Sequence, residues 1–269
     1  MTYKETTQKQ LDNLYFEYFD KIVQNEGTLK GLQSEVLSSP LLIDLDVSYS
    51  MNIKEGSKRV LFVGKETNGW GNELGNRLPF STSFTKENYL EELKKAYRDL
   101  KYSSNFWRFI KDFVIKKVNK MNSEITFLYT NLSRHDEEYK DRHGAIRTEE
   151  YLKVIHDNNN EIFRKEVEIL KPDYIFFLTG PDRDALLIET YPDAQFKNIE
   201  KWQIFENENS LFTEVYSSEL NAKSYRMYHP QSYNRLKWKI CNRFNLEDCD
   251  ALEILSDELI ELLCPSKNL

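Results

Sequence analysis

Apolar and polar positions along the chain follow two periods, one typical of helices and one typical of short buried strands. Apolar residues recur at helical spacing in residues 5–25, 86–120 and 147–170, and also after about residue 230. The sequence YSSN predicts a break within residues 86–120, with Ser103 or Ser104 capping the second helix. Apolar runs bounded by turn residues predict four strands, at residues 60–63, 125–130, 174–178 and 223–230.

The order of these elements predicts the fold class. Because helices separate most of the strands, we expect a three-layer α/β/α fold around a central, mostly parallel, four-stranded sheet. Residues 1–57 precede the first strand and are predicted to form a helical N-terminal extension packed on the core. Residues 58–269 are then predicted to form the α/β domain.

Polar side chains follow three of the four predicted strands. Glu66 and Asn68 follow the first strand in a glycine-rich turn, Asn131 follows the second, and His229 lies at the end of the last. In open α/β sheets, ligands bind beyond the carboxyl ends of the strands. Each residue taken singly also fits a turn-forming, capping or structural role, so only their combination predicts a site.

Composition and charge exclude few classes of function. The 269 residues carry a formal net charge of -7, which neither supports nor excludes a nucleic-acid partner. Three cysteines without a CxxC pair argue against a zinc or iron–sulfur site and favour a reducing, cytoplasmic location. The polar N-terminus and the absence of a long apolar run predict neither a secretory signal nor a membrane span. The segments HDEE and DRH match no metal-ligand spacing, and no cofactor is predicted.

Four segments, in order along residues 58–240, resemble the motifs of the uracil-DNA glycosylase superfamily. They are VLFVGKETNGWGNELGNRLPFS, FLYTNLSR, EILKPDYIFFLTGPDRDALL and YHPQSYNR. The resemblance implies a uracil-DNA glycosylase-like fold for residues 58–269 and an enzyme that extrudes one base from DNA and hydrolyses its glycosidic bond. The cysteines of the family's iron–sulfur branch are missing.

The resemblance also implies a role for each matching residue. Glu66 would stabilise the sugar cation and orient the attacking water, and His229 would donate a hydrogen bond to the departing base. The base-binding residues would be Gly64, Lys65, Asn68, Phe80 and Asn131. Within this set, the Phe80 ring would stack on the base and the Asn131 amide would match its edge, while glycines permit close backbone approach.

A basic segment follows the last motif and predicts contacts with DNA. The DNA-binding residues implied here are Gln231, Ser232, Tyr233, Arg235 and Lys237. Tyr233 matches the position from which the family pushes a wedge into DNA, and the cations would contact phosphates. The alternative is a solvated basic helix face with no ligand.

The chain departs from the family pattern at several motif positions. Thr67 replaces a proline, Gln231 replaces a serine, and Glu66 replaces the usual, shorter aspartate. Asn68 stands where many relatives carry a tyrosine that excludes the methyl group of thymine. A smaller residue there would admit a base with a larger group at carbon 5.

We therefore expect a monomeric DNA glycosylase that acts on uracil or a modified pyrimidine, in repair or in defence against phage. The second hypothesis is a non-catalytic nucleic-acid or nucleotide-binding module on the same fold. A small-molecule hydrolase finds no support, since the chain has neither a serine nucleophile elbow nor a phosphate-binding glycine loop.

Overall fold

A computed structural model describes most of the chain. The described residues are 1–24, 41–46, 53–65, 86–98, 104–121, 124–133, 149–203, 210–247 and 249–264. The helices are α1 (Tyr3–Gln24), α2 (Lys86–Arg98), α3 (Asn105–Arg108), α4 (Lys116–Lys120), α5 (Glu149–Leu170), α6 (Asp184–Thr190), α7 (Tyr233–Arg243) and α8 (Ala251–Leu263). The strands are β1 (Lys58–Gly64), β2 (Ile125–Asn131), β3 (Tyr174–Phe177), β4 (Gln195–Asn198), β5 (Phe212–Tyr216) and β6 (Lys223–Met227).

The predicted helices and strands are confirmed, and the prediction of four strands is wrong. The described strands form one six-stranded mixed sheet in the order β2-β1-β3-β6-β5-β4. β3 pairs in parallel with β1 and β6, whereas β5 pairs antiparallel with β6 and β4. The two extra strands, β4 and β5, extend the sheet beyond β6. The protein is therefore an α/β protein with a mixed sheet.

Contacts divide the chain into two compact units. The first comprises Met1–Glu55, Lys65–Leu100 and Tyr129–Lys171, and the second comprises Gly56–Gly64, Lys101–Leu128 and Pro172–Leu269. This division does not follow the predicted boundary at residue 57, because the N-terminal segment groups with two later segments. The division into residues 1–57 and 58–269 stays a prediction.

A buried carboxyl group is hydrogen-bonded to several elements of the first unit. Glu166 of α5 is fully buried and accepts hydrogen bonds from the Tyr15 hydroxyl of α1 at 2.8 Å and from Thr130 at 3.1 Å. The Tyr15 hydroxyl in turn accepts the backbone N–H of Ile43 at 2.9 Å. Because a buried polar group is costly without hydrogen-bond partners, these bonds of Glu166 join α1, α5 and the end of β2.

Aromatic side chains cross the sheet of the second unit in a row. Phe62 of β1 stacks with Phe127 of β2 at a centroid distance of 6.0 Å and contacts Phe176 of β3 at 5.9 Å. Phe176 then stacks on Tyr225 of β6 at 5.4 Å. Such rings bury large apolar areas and add a favourable contact geometry, so they fix the order of these four strands.

Helix ends in the second unit follow ordinary capping chemistry. Ser104 caps α3, accepting the N–H of Trp107 at 3.5 Å, which confirms the predicted break and cap. A π-helical segment, Phe109–Ile115, joins α3 to α4 and packs against α8. No pattern in the sequence predicted this segment.

A disulfide joins α7 to the segment before α8. Cys241 and Cys249 are bonded, while Cys264 is free. The bond was not predicted, and it is more typical of oxidising compartments than of the reducing location expected from the cysteine count. None of the described helices is long and apolar enough to cross a membrane.

Gly180 turns the chain sharply after β3. Its φ of 75° and ψ of 169° lie in a region that only glycine adopts readily. A Cβ at this position would lie 2.7 Å from Asp182 Oδ1. Backbone strain therefore disfavours larger residues here, whereas the exposed Asp182 side chain can move away from an added Cβ.

We predict that Gly180→Ala lowers the free energy of unfolding by about 1–3 kcal/mol, because alanine must adopt a glycine-only conformation. Urea denaturation followed by circular dichroism measures the change. In the double variant Gly180→Ala/Asp182→Ala the close contact is gone, so only the backbone part of the loss should remain. A Gly180→Ala protein as stable as the wild type would contradict the prediction.

We also predict that breaking the Cys241–Cys249 bond lowers the free energy of unfolding by about 2.5 kcal/mol, because the unfolded chain regains the freedom of a short loop. Denaturation with and without a thiol reductant measures the loss. Cys264→Ser is the matched control and should keep both the stability and its response to reductant. Equal stability of the oxidised and reduced proteins would refute the prediction.

Candidate functional site

Three strand ends of the second unit meet at one edge of the sheet. The N–H of Leu178, just past β3, donates to the carbonyl of Val63 in β1 at 2.8 Å. The N–H of Gly180 donates to the carbonyl of Met227, the last residue of β6, at 2.9 Å. Because β1, β3 and β6 run parallel, Gly64 and the segment after Met227 emerge at the same edge.

Contacts with Gln231 and Phe106 hold His229 at this edge. It caps the 3₁₀ turn Pro230–Ser232, its Nδ1 accepting the backbone N–H of Gln231 at 3.3 Å. Its ring stacks on Phe106, which is buried, with centroids 5.3 Å apart and planes 19° apart. When Nδ1 of a neutral imidazole accepts a hydrogen bond, the proton lies on Nε2. The ring is therefore arranged as a donor through Nε2.

Asn131 lies in the first unit, at the end of β2. It is buried, and its Oδ1 accepts the hydroxyl of Tyr129 at 2.6 Å. Tyr129 is fixed in turn, because its ring stacks on Tyr97 and its carbonyl accepts the Tyr97 hydroxyl at 2.8 Å. This arrangement holds the Asn131 amide in one orientation, with its two Nδ2 hydrogens turned away from Tyr129.

Lys65 lies beside the segment that follows β2 in the same unit. Its carbonyl accepts the backbone N–H of Ser133 at 2.9 Å. The residues that directly follow β1 and β2 are therefore neighbours within the first unit.

Three predicted site residues lie outside the described residues. They are Glu66, Asn68 and Phe80. Their roles stay predictions, as does the convergence of the whole set on one base.

The predicted role of Tyr233 in DNA insertion is wrong for this structure. Its side chain is only 1% exposed and packs edge-on against Phe109 at a centroid distance of 5.9 Å. It begins α7 and anchors that helix to the π-helical segment. By contrast, Gln231, Arg235 and Lys237 are exposed, and Ser232 is half-buried in the 3₁₀ turn.

Sequence reasoning missed a buried ion pair next to this edge. Arg226 of β6 is fully buried, with its Nε 3.2 Å from Asp184 Oδ1. These two atoms form an ion pair without a well-aligned hydrogen bond. Burial raises the pKa of Asp184 to about 6, although the nearby guanidinium acts in the opposite direction. A lone arginine in a strand gives no sequence signal for such a pair.

Phe106 is the second residue that the sequence did not reveal. It follows the Ser104 cap and lies far from the motif that contains His229, so only the folded chain brings the rings together. Among the described residues, no three histidines, cysteines or carboxylates are grouped so as to hold a metal ion.

Comparisons with known proteins add nothing to this geometry, since no family model matches the chain and no curated protein gives a significant match.

The Asp184 pKa predicts a specific pH dependence of stability. Because folding raises this pKa from its ordinary value of 3.8 to about 6, the folded state favours the protonated carboxyl. Its contribution to stability is full below about pH 4 and is lost as the pH rises through 6. Urea denaturation from pH 4 to pH 7 should therefore show a steeper fall for the wild type than for Asp184→Asn.

The matched control is Asp112→Asn, which removes an exposed carboxylate and should keep the wild-type slope. Asp184→Asn resembles the protonated carboxyl at every pH, so it removes this titration and its part of the slope. Equal slopes for Asp184→Asn and the wild type would contradict the assigned pKa.

Proposed function

We propose that this protein is a DNA glycosylase that extrudes uracil or a modified pyrimidine from DNA and hydrolyses its glycosidic bond. The observation that carries the proposal is the state of His229. It follows the strand β6 whose end lies at the same edge as the end of β1, and its Nδ1 acceptor role makes Nε2 a donor. Stacking on Phe106 limits rotation of this donor.

In the proposed reaction, the bond between the base nitrogen and the sugar C1′ breaks, and the base leaves with the bonding electron pair. Glu66 stabilises the resulting oxocarbenium-like sugar and orients a water whose oxygen forms the new bond to C1′. His229 Nε2–H donates to the base oxygen on which negative charge develops. The water gives up one proton and the base anion takes up one, so the products are the neutral free base and an abasic site.

The Asn131 amide supports a preference among pyrimidines. Its Oδ1 already accepts one hydrogen bond from Tyr129, whereas Nδ2 offers two donors. Donors match the carbonyl oxygens of uracil and of 5-substituted uracils better than the exocyclic amine of cytosine. We therefore rank uracil-type bases first.

The proposal also includes the arrangement of helices around the sheet. Helices would cover both faces of the sheet in a three-layer α/β/α arrangement like that of uracil-DNA glycosylases. The enzyme would act as a monomer without a cofactor, in the cytoplasm where its DNA substrate is found.

Phe80 would stack on the extruded base, and Gly64 and Asn68 would line the pocket.

A second function, a non-catalytic nucleic-acid-binding module, is favoured by one observation. The sequence from residue 228 to residue 246 contains no acidic residue, although the whole chain has a net charge of -7. Such a segment supports phosphate binding without requiring chemistry.

The two functions differ in whether the protein releases a base from DNA. Purified protein is incubated with oligonucleotides that contain uracil, 5-hydroxymethyluracil or modified cytosines, in single- and double-stranded form, and alkali then cleaves any abasic site. We predict cleavage with the wild type, a loss of at least about 100-fold with Glu66→Gln, and about 100- to 1,000-fold slower release with His229→Ala.

The matched control for Glu66→Gln is Glu55→Gln, since Glu55 is an exposed glutamate outside the proposed site. It should retain full activity. Binding of every oligonucleotide without any alkali-sensitive product would reject the glycosylase and leave the binding module.

A further inference from the structure

The side chains of Tyr129 and Asn131 lie on one face of β2, because residues two apart in a strand point the same way. The Tyr129 hydroxyl lies 2.6 Å from Asn131 Oδ1. This separation is usual for an O–H···O bond and shorter than N–H···O bonds prefer. The oxygen end of the Asn131 amide therefore faces Tyr129, and the hydroxyl donates to it.

The nitrogen end of the same amide has no such partner. Asn131 is only 2% exposed, and no described residue accepts a hydrogen bond from its Nδ2. Polar groups this deep in a protein normally have hydrogen-bond partners. The amide therefore offers its two N–H groups to a ligand, while its oxygen is already engaged.

Contacts on both faces of β2 hold Tyr129 beside the amide. The Tyr97 ring of α2 stacks on the Tyr129 ring with centroids 6.4 Å apart, and the Tyr97 hydroxyl donates to the Tyr129 carbonyl at 2.8 Å. Thr130 points to the opposite face, where its hydroxyl donates to the buried Glu166 at 3.1 Å. All of these residues belong to the first unit, so the strand end is fixed within it.

The orientation of the Asn131 amide decides which hydrogen-bonding groups a ligand meets. A half-turn about its last side-chain bond would exchange the oxygen and the nitrogen and present an acceptor. Uracil offers carbonyl oxygens, whereas cytosine carries an exocyclic amine, a donor, in place of one of them. A turned amide would also place Nδ2 closer to the Tyr129 hydroxyl than an N–H···O bond prefers, and the packed ring resists moving back.

We propose that Tyr129 is a positioning residue that sets base specificity: its hydroxyl holds the Asn131 amide oxygen, so the site binds uracil-type bases and rejects cytosine. The inference rests on the proposed function in taking a pyrimidine as the ligand of Asn131. In this role Tyr129 acts through Asn131 and not on the base itself. Phenylalanine at position 129 would keep the ring and its stacking but release the amide.

The test compares binding of two labelled single-stranded oligoadenylates, one with a single 2′-fluoro-2′-deoxyuridine and one with a single 2′-fluoro-2′-deoxycytidine. The fluorine disfavours the sugar cation, so fluorescence anisotropy measures binding without base release. Full-length wild type should bind the uracil oligonucleotide about 5- to 150-fold more tightly, because an unmatched donor in a buried site costs about that factor. Tyr129→Phe should bring the two affinities close together, mainly through tighter binding of cytosine.

Two controls separate this role from a merely structural one. Tyr97→Phe also removes one buried tyrosine hydroxyl, but one that donates to a backbone carbonyl, and it should keep the wild-type ratio of affinities. In an Asn131→Ala background, Tyr129→Phe should leave the ratio unchanged, because no amide remains to turn. Circular dichroism checks that each variant is folded.

Several outcomes would overturn the inference. They are a wild type that binds the two oligonucleotides equally or not at all, a wild-type ratio in Tyr129→Phe, and equal weakening of both affinities in that variant. Failure of the glycosylase gives a different result, namely Tyr129-dependent discrimination in binding without base release from uracil-containing DNA. Base release from such DNA together with an unchanged ratio in Tyr129→Phe would leave the glycosylase and refute the role of Tyr129.

Discussion

The parallel hydrogen bonding of β1, β3 and β6 is the constraint on which the second unit depends. Parallel strands that pair with one another end at the same edge of the sheet, so residues far apart in sequence lie close together at that edge. The bonds from Leu178 to Val63 and from Gly180 to Met227 continue this pairing past the strand ends. This continuation brings the chain to His229, whose ring is then held by the N–H of Gln231 and by stacking on Phe106.

The packing of Tyr233 links the strand edge to the surface of α7. Because its ring is buried against Phe109, the helix starts in a fixed orientation directly after the turn that His229 caps. That orientation decides which side chains of α7 face the solvent. One buried tyrosine therefore sets both the direction of the helix and the exposure of Trp238, about 8 Å further along the helix axis.

The sequence was informative where local chemistry decides the structure. Apolar runs located β1, β2, β3 and β6, and a serine before an apolar pattern located the start of α3. No pattern in the sequence indicates the features that depend on contacts between distant segments. The edge strand β4 is mostly exposed and polar, so it has no apolar run to detect, and it exists because β5 offers a free edge. The burial of Tyr233 and the stacking of Phe106 on His229 likewise depend on partners from other elements. The position of a residue within a motif does not determine which side of a helix is buried.

The disulfide has a mechanical consequence. It fastens the last turns of α7 to the start of α8, and the far end of α8 is held to β1 by a hydrogen bond from Lys58 Nζ to the carbonyl of Leu263 at 3.0 Å. Tension applied to α7 by a tethered polymer would therefore pass through the disulfide and α8 into β1. In the reduced protein the same tension would pass only through the longer backbone segment between the two cysteines, so α7 would separate further from α8 before β1 carried the load.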